Sequence, residues 1–164
     1  QAVLADPAAA GLYRVPDDLA LAALARRVAA AGLRPAPLDG DAIGDKAALL
    51  RACAAALAFP PYFGRNWDAL ADCLADLSWL SARGHVVLYD SPAPLIRRAP
   101  RDWAVAREIF ADAADAWRAR GLPFAVLLRR TAGLAPAIPL LDLEGEKTIE
   151  PPRRKDHEDR KDRN

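Results

Sequence analysis

The 164 residues include no methionine, two cysteines and two histidines, and the formal net charge is only +1. Each shortage excludes something. Cys53 and Cys73 lie inside apolar periodic segments and outside any Cys-x-x-Cys, so they are expected as buried, reduced thiols. Two Cys and two His, with His157 in a charged tail, offer no metal-ligand spacing, and neither a metal nor a cofactor is expected. A near-neutral chain gives no whole-molecule electrostatic case for binding nucleic acid. No apolar stretch is long enough to cross a bilayer, so no membrane role is expected. Gln1 to Gly11 lacks the basic and apolar regions of a signal peptide, which favours a cytoplasmic location; the absence of Met leaves the natural start open. There is no P-loop, Gly-x-Ser-x-Gly or dinucleotide fingerprint. His85 has no nucleophile near it in sequence, and a structural or surface role is expected. The catalytic set is therefore read as empty.

What is present is a 52% hydrophobic composition, enough for a core, though much of it is small Ala. Residues 12–16 read as a strand. Asp17 and Asp18 then open an Ala-rich helix that Gly32 ends. Residues 33–38 read as a strand whose Pro35 and Pro37 suit a sheet edge. Asp45 is placed to cap a helix carrying Leu49, Leu50, Cys53 and Leu57 on one face, and Pro60-Pro61 stops it. Asn66 is placed to cap a helix reaching about Ser78. His85 to Asp90 is a dense apolar strand, and 91–101 is Pro-rich and irregular. A long helix capped by Asp102 follows, with Trp103, Ala106, Phe110, Ala113 and Trp117 on one face and Arg118 and Arg120 complementing its dipole. Phe124 to Leu128 reads as the last strand, buried on both faces. Alternating strands and helices predict an α/β fold with a small parallel sheet packed by helices. The pairs Arg97-Arg98, Arg129-Arg130 and Arg153-Arg154 lie in separate segments and read as solvated surface. Residues 153–164 hold no apolar residue and are expected to be disordered.

The most informative stretch is Phe59 to Leu77. On a helix, Leu70, Cys73, Leu74 and Leu77 gather on one side, and Asp68, Asp72 and Asp76 form an uninterrupted i, i+4 stripe on the other. Like charges at that spacing disfavour the helix by a few tenths of a kcal/mol per pair. Asp68 recovers some of this near the positive helix end. The stripe alone leaves open a solvated face, a docking surface for a cationic partner, or a divalent-metal site, for which it lacks ligands. Tyr62, Phe63 and Trp67 around Gly64 resemble the apolar anchors that accompany charge at protein interfaces, with Phe63 also read as a core residue and Trp67 as lying at the core edge.

The run Pro60, Tyr62, Phe63, Gly64, Asn66, Asp68, Ala69, Leu70, Asp72, Cys73, Leu74 resembles the barstar signature, Pro-x-Tyr-Tyr-Gly-x-Asn-x-Asp-Ala-Leu-x-Asp-Cys-Leu. The flanking order of elements agrees over about Leu33 to Arg130. The resemblance implies a barstar-like fold and a cytoplasmic, monomeric inhibitor that binds a guanyl-specific ribonuclease one to one. It implies a partner surface of Tyr62, Asn66, Trp67, Asp68, Ala69, Ala71, Asp72 and Asp76. In that surface Asp72 stands where the substrate phosphate would sit, Asp68 lies beside it, Tyr62 packs on the catalytic side and Asn66 starts the helix. A carboxylate can make the charge-assisted hydrogen bonds of a phosphodiester without being cleaved. Two departures stand out. Ala71 occupies a position where the family has Trp, and Ala116 aligns with a family acidic residue, with Asp112 and Asp115 out of register. A barstar-like module for a different toxin or basic protein, of antitoxin or immunity type, therefore stays open, as does a small enzyme. The expected organisation is a strand-helix extension over 1–32 at the sheet edge, a barstar-like domain over 33–130 and a flexible tail over 131–164.

Overall fold

The computed structural model describes residues 2–143 and 147–149. In chain order the elements are α1 (Ala2–Ala5), β1 (Gly11–Arg14), α2 (Leu21–Ala30), β2 (Arg34–Asp39), α3 (Lys46–Ala56) and α4 (Trp67–Asp76). They continue with β3 (His85–Asp90), α5 (Ala93–Arg98), α6 (Pro100–Ala119), β4 (Phe124–Arg129), β5 (Leu140–Asp142) and β6 (Lys147–Ile149). One sheet runs in the order β2-β3-β4-β1-β5-β6, parallel throughout except for the antiparallel β5–β6 pair. The fold is α/β with a parallel sheet packed by helices, as the alternating pattern predicts.

The side-chain period of two splits each central strand between two apolar layers. Val87 and Tyr89 of β3, with Phe124, Val126 and Leu128 of β4, face the layer that holds Leu49, Cys53, Leu70, Leu74, Phe110 and Trp117. Val86, Leu88, Ala125 and Leu127 face the other layer, with Leu24 and Val28 of α2. Burial on both faces is why β3 and β4 are continuous apolar runs. Pro35 and Pro37 fall on β2, which is an edge strand, where a missing ladder donor costs least.

Several boundaries differ from the sequence reading. Strand β1 lies inside the sheet, between β4 and β5, and not at its edge. Residues 131–143 are not a loose tail. Ile138, Leu141 and Leu143 are buried, β5 pairs with β1, and the Arg14 backbone N–H and Nε donate to Pro139 O and Ile138 O at 2.8 and 2.7 Å. The driving force is the exposed edge of β1, which needs both hydrogen-bond partners and apolar cover. The expected disorder of 153–164 lies outside the described residues. Asp17 does not cap α2; its carboxylate accepts from the Arg130 backbone N–H at 3.2 Å, and α2 begins at Leu21 without a side-chain cap. The Pro-rich stretch after β3 is helical: a proline begins or immediately precedes α5 and α6, where its fixed φ suits the first turn. Asp102 consequently sits inside the first turn of α6 and makes no cap.

Candidate partner-binding surface

The loop between α3 and α4 is built by side chains that turn inward. Asp45 caps α3 by accepting from Ala48 N at 2.9 Å. After α3 the chain reverses through Ala58 at φ 52°, and Phe59 N donates to Ala54 O. Phe59 packs edge-to-face on Phe63, with centroids 4.8 Å apart, and on Trp79 at 6.0 Å. Trp79 Nε1, beyond the end of α4, donates to Leu57 O at 2.9 Å and so ties the start of the loop to the segment that follows α4. With Phe63 drawn inward, its neighbour Tyr62 is turned out and is 77% exposed.

Asn66 starts α4 as the sequence suggests: its Oδ1 accepts from Ala69 N at 2.8 Å, in extended backbone at φ −139°. Leu70, Cys73 and Leu74 are buried, and Leu77 closes the helix in the left-handed region at φ 50°. Helix α4 packs mainly on α6, where Trp117 Nε1 donates to Leu74 O at 2.8 Å. That contact fixes the rotation of α4. It leaves Asp68, Asp72 and Asp76 exposed along a line about 12 Å long at 1.5 Å per residue. Among the described residues none of the three carboxylates has an ion pair.

The sequence-derived residues thus divide. Tyr62, Asp68, Asp72 and Asp76 are all exposed. Asn66 is exposed, but its amide oxygen is committed to the cap. Trp67 is half-buried, with Lys46 Nζ 5.2 Å from its ring centroid. Ala69 and Ala71 are half-buried between the stripe and the packed face. Sequence reasoning missed the braces Trp79 and Lys46; Arg118 lies in the last turn of α6 and Arg120 caps it, as expected for groups that complement its dipole, but both side chains also reach further. Arg118 pairs with Asp115 at 2.7 Å and donates to Ala10 O. Arg120 donates to Ala75 O of α4 at 2.7 Å. The Arg118–Asp115 pair is a local i, i+3 contact, whereas the bonds to Ala10 and Ala75 are revealed only by three-dimensional neighbours.

The remaining titratable groups are structural. Burial pushes the Cys53 thiol up to about 12, and burial with the charges of Asp72 and Asp76 raises Cys73, so neither is a ready nucleophile. Burial works to raise Asp90, but hydrogen bonds from Arg130 and Arg129 and their charges outweigh it and hold the carboxyl below its usual value. Arg129 Nη1 lies 2.8 Å from Asp90 Oδ1, and Arg130 Nη2 2.8 Å from Oδ2, so this arginine pair is not the solvated surface expected of it. Arg129 also donates to Leu19 O, tying the β1–α2 loop to the sheet. His85 is fully buried, and neither ring nitrogen has a hydrogen-bond partner among the described residues. Among the described residues no group of three or more His, Cys, Asp or Glu could hold a metal, and no helix is long and apolar enough to cross a membrane.

No curated protein matches the chain. A family model does match, over residues 33–129, from the start of β2 region through the end of β4 and across the whole acidic helix. Since that is more than half of the 164 residues, the chain belongs to the Barstar (barnase inhibitor) family.

Proposed function

We propose that the protein is an intracellular inhibitor of a guanyl-specific ribonuclease, acting as a binding protein and not as an enzyme. Helix α4 and the loop before it enter the ribonuclease active site. Asp72 occupies the place of the substrate phosphate, Asp68 and Asp76 extend the negative field, and Tyr62 packs beside the catalytic groups. The single observation that carries this reading is the exposed carboxylate line, without an ion pair among the described residues, which follows a loop with an exposed tyrosine inside the segment that matches an inhibitor family. Ribonuclease sites gather Arg, Lys and His around a phosphodiester, and carboxylates on a rigid helix satisfy those donors. The complex is one to one, with a monomeric free form, in the cytoplasm.

The test is RNA cleavage by several guanyl-specific ribonucleases against rising inhibitor. Stoichiometric loss of cleavage is expected; no inhibition of any of them at micromolar concentration removes the reading. A second reading, a barstar-like module for another toxin or basic protein, is favoured by Ala71 and Ala116, where the family has a Trp and an acidic residue. Both are half-buried and add no charge or aromatic anchor. Affinity capture from host lysate separates the two readings by the identity of what is bound.

A further inference from the structure

Arg120 follows the last residue of α6, yet its guanidinium serves the neighbouring helix. One Nη donates to Ala75 O at 2.7 Å, and the group lies over the Trp117 ring, 4.4 Å from its centroid. Ala75 sits in the last turn of α4, next to Asp76. A cation there complements the negative end of the α4 dipole, which accounts for its stabilising role. It does not account for the rest of the group. A guanidinium has five N–H donors, and among the described residues only one donation is made. Arg120 is exposed and has no carboxylate within ion-pair distance among the described residues. The last charge of the acidic stripe and an immobilised cation therefore stand at the same helix end without neutralising each other. Two residues earlier, Arg118 closes such a pair with Asp115.

We propose that Arg120 is a specificity-determining residue of the partner surface. It turns an acidic stripe into a two-sign pattern and selects a partner whose basic cleft is bordered by a carboxylate. This rests on the binding role proposed above. Stacking on Trp117 and bonding to Ala75 fix the guanidinium before the partner arrives, so docking costs little further rotamer freedom. The unused donors match a carboxylate in bidentate geometry. Against a partner that is uniformly basic at this edge the same cation repels, a discrimination that three aspartates alone do not supply.

The experiment uses the full chain and a panel of purified guanyl-specific ribonucleases. Kd and melting temperature are measured for wild type, Arg120→Gln, Arg120→Lys, Arg120→Glu and Asp72→Ala. The enzyme that wild type binds most tightly should lose about ten- to a hundredfold with Arg120→Gln, and more with Arg120→Glu. An enzyme bound weakly by wild type should gain with Arg120→Glu, so that the order of preference across the panel changes. If every affinity stays within twofold, or all fall by one common factor together with the melting temperature, Arg120 only supports α4 and the proposal is overturned, while the Asp72→Ala loss still upholds the inhibitor. If wild type binds no enzyme of the panel, the binding role itself falls and takes the proposal with it. Should Arg120→Glu fail to fold, Arg120→Lys decides: it keeps the charge and a donor for Ala75 without the fork, and an unchanged order of preference for both Lys and Gln overturns the proposal.

Discussion

At the scale of single residues, the exposed carboxylates and the buried imidazole carry opposite consequences. Asp72→Ala should weaken ribonuclease binding more than any other single truncation, because it leaves the partner's cations desolvated and unpaired; such losses run to about 2–5 kcal/mol. Tyr62→Ala and Asp68→Ala should follow. Fold stability should change by less than about 1 kcal/mol, since an exposed like-charge stripe is relieved. Calorimetric titration and thermal melts read the two effects separately, and an affinity change below threefold for Asp72→Ala would contradict the assignment. His85 works through folding. Burial, with the Arg34 charge second, lowers it from 6.5 to about 4. Between those values the unfolded chain takes up a proton that the native state refuses. Stability is thus whole above pH 6.5 and declines as pH falls toward 4, by at most about 3 kcal/mol. His85→Leu should flatten that part of the profile. It should cost little at pH 7, because it removes two buried nitrogens that have no hydrogen-bond partner among the described residues. Urea titrations across pH 4–7 check both statements.

At the scale of elements, α4 was readable from sequence because everything that makes it is local. Asn66 caps it, Leu70, Cys73 and Leu74 face inward, and three aspartates recur at one spacing. Asn66→Ala should cost about 1 kcal/mol and Asn66→Asp far less, measurable as a difference in denaturation midpoint, because only the first loses the acceptor for Ala69 N. Strand β5 was not readable. Its apolar residues are few and spaced among prolines, and they matter only because β1 presents an edge for them to cover. Asp17 and Asp102 were misplaced as caps for a related reason. A distant backbone N–H claims the first, and Pro100 moves the helix start ahead of the second. Among the loop aromatics Tyr62 faces out, while Phe63 and Trp67 pack against the core as the sequence allowed; the edge-to-face partner Phe59 is what spacing does not announce. Arg120 belongs with these, since its acceptor is 45 residues away in sequence.

At the scale of the whole molecule, the family match and the sheet do not share boundaries. The match ends at residue 129, and the sheet continues through β1 and β5. A chain ending at Arg130 loses Ile138, Leu141 and Leu143, each buried, and bares one edge of β1. With about 1.5–3 kcal/mol for each large side chain fully buried, its melting temperature should drop markedly. Differential scanning calorimetry checks this, and a melt equal to the full chain would show that 131–143 contributes nothing. A chain starting at Leu33 should fare worse, because it removes a strand from inside the sheet.

Placing β1 against β4 also sets the order of events in making the protein. Gly11 pairs with Ala125 and Arg14 with Leu128, over a hundred residues downstream. Loop-closure entropy has to be met before such pairing is rewarded, so these contacts slow folding. During synthesis the first strand stays without its neighbour until β4 leaves the ribosome, while β2, β3 and the helices between them are already available. The sheet is therefore completed only after β4 and β5 have emerged. A chain cut short before β4 carries the acidic helix without the strands that complete the sheet beneath it.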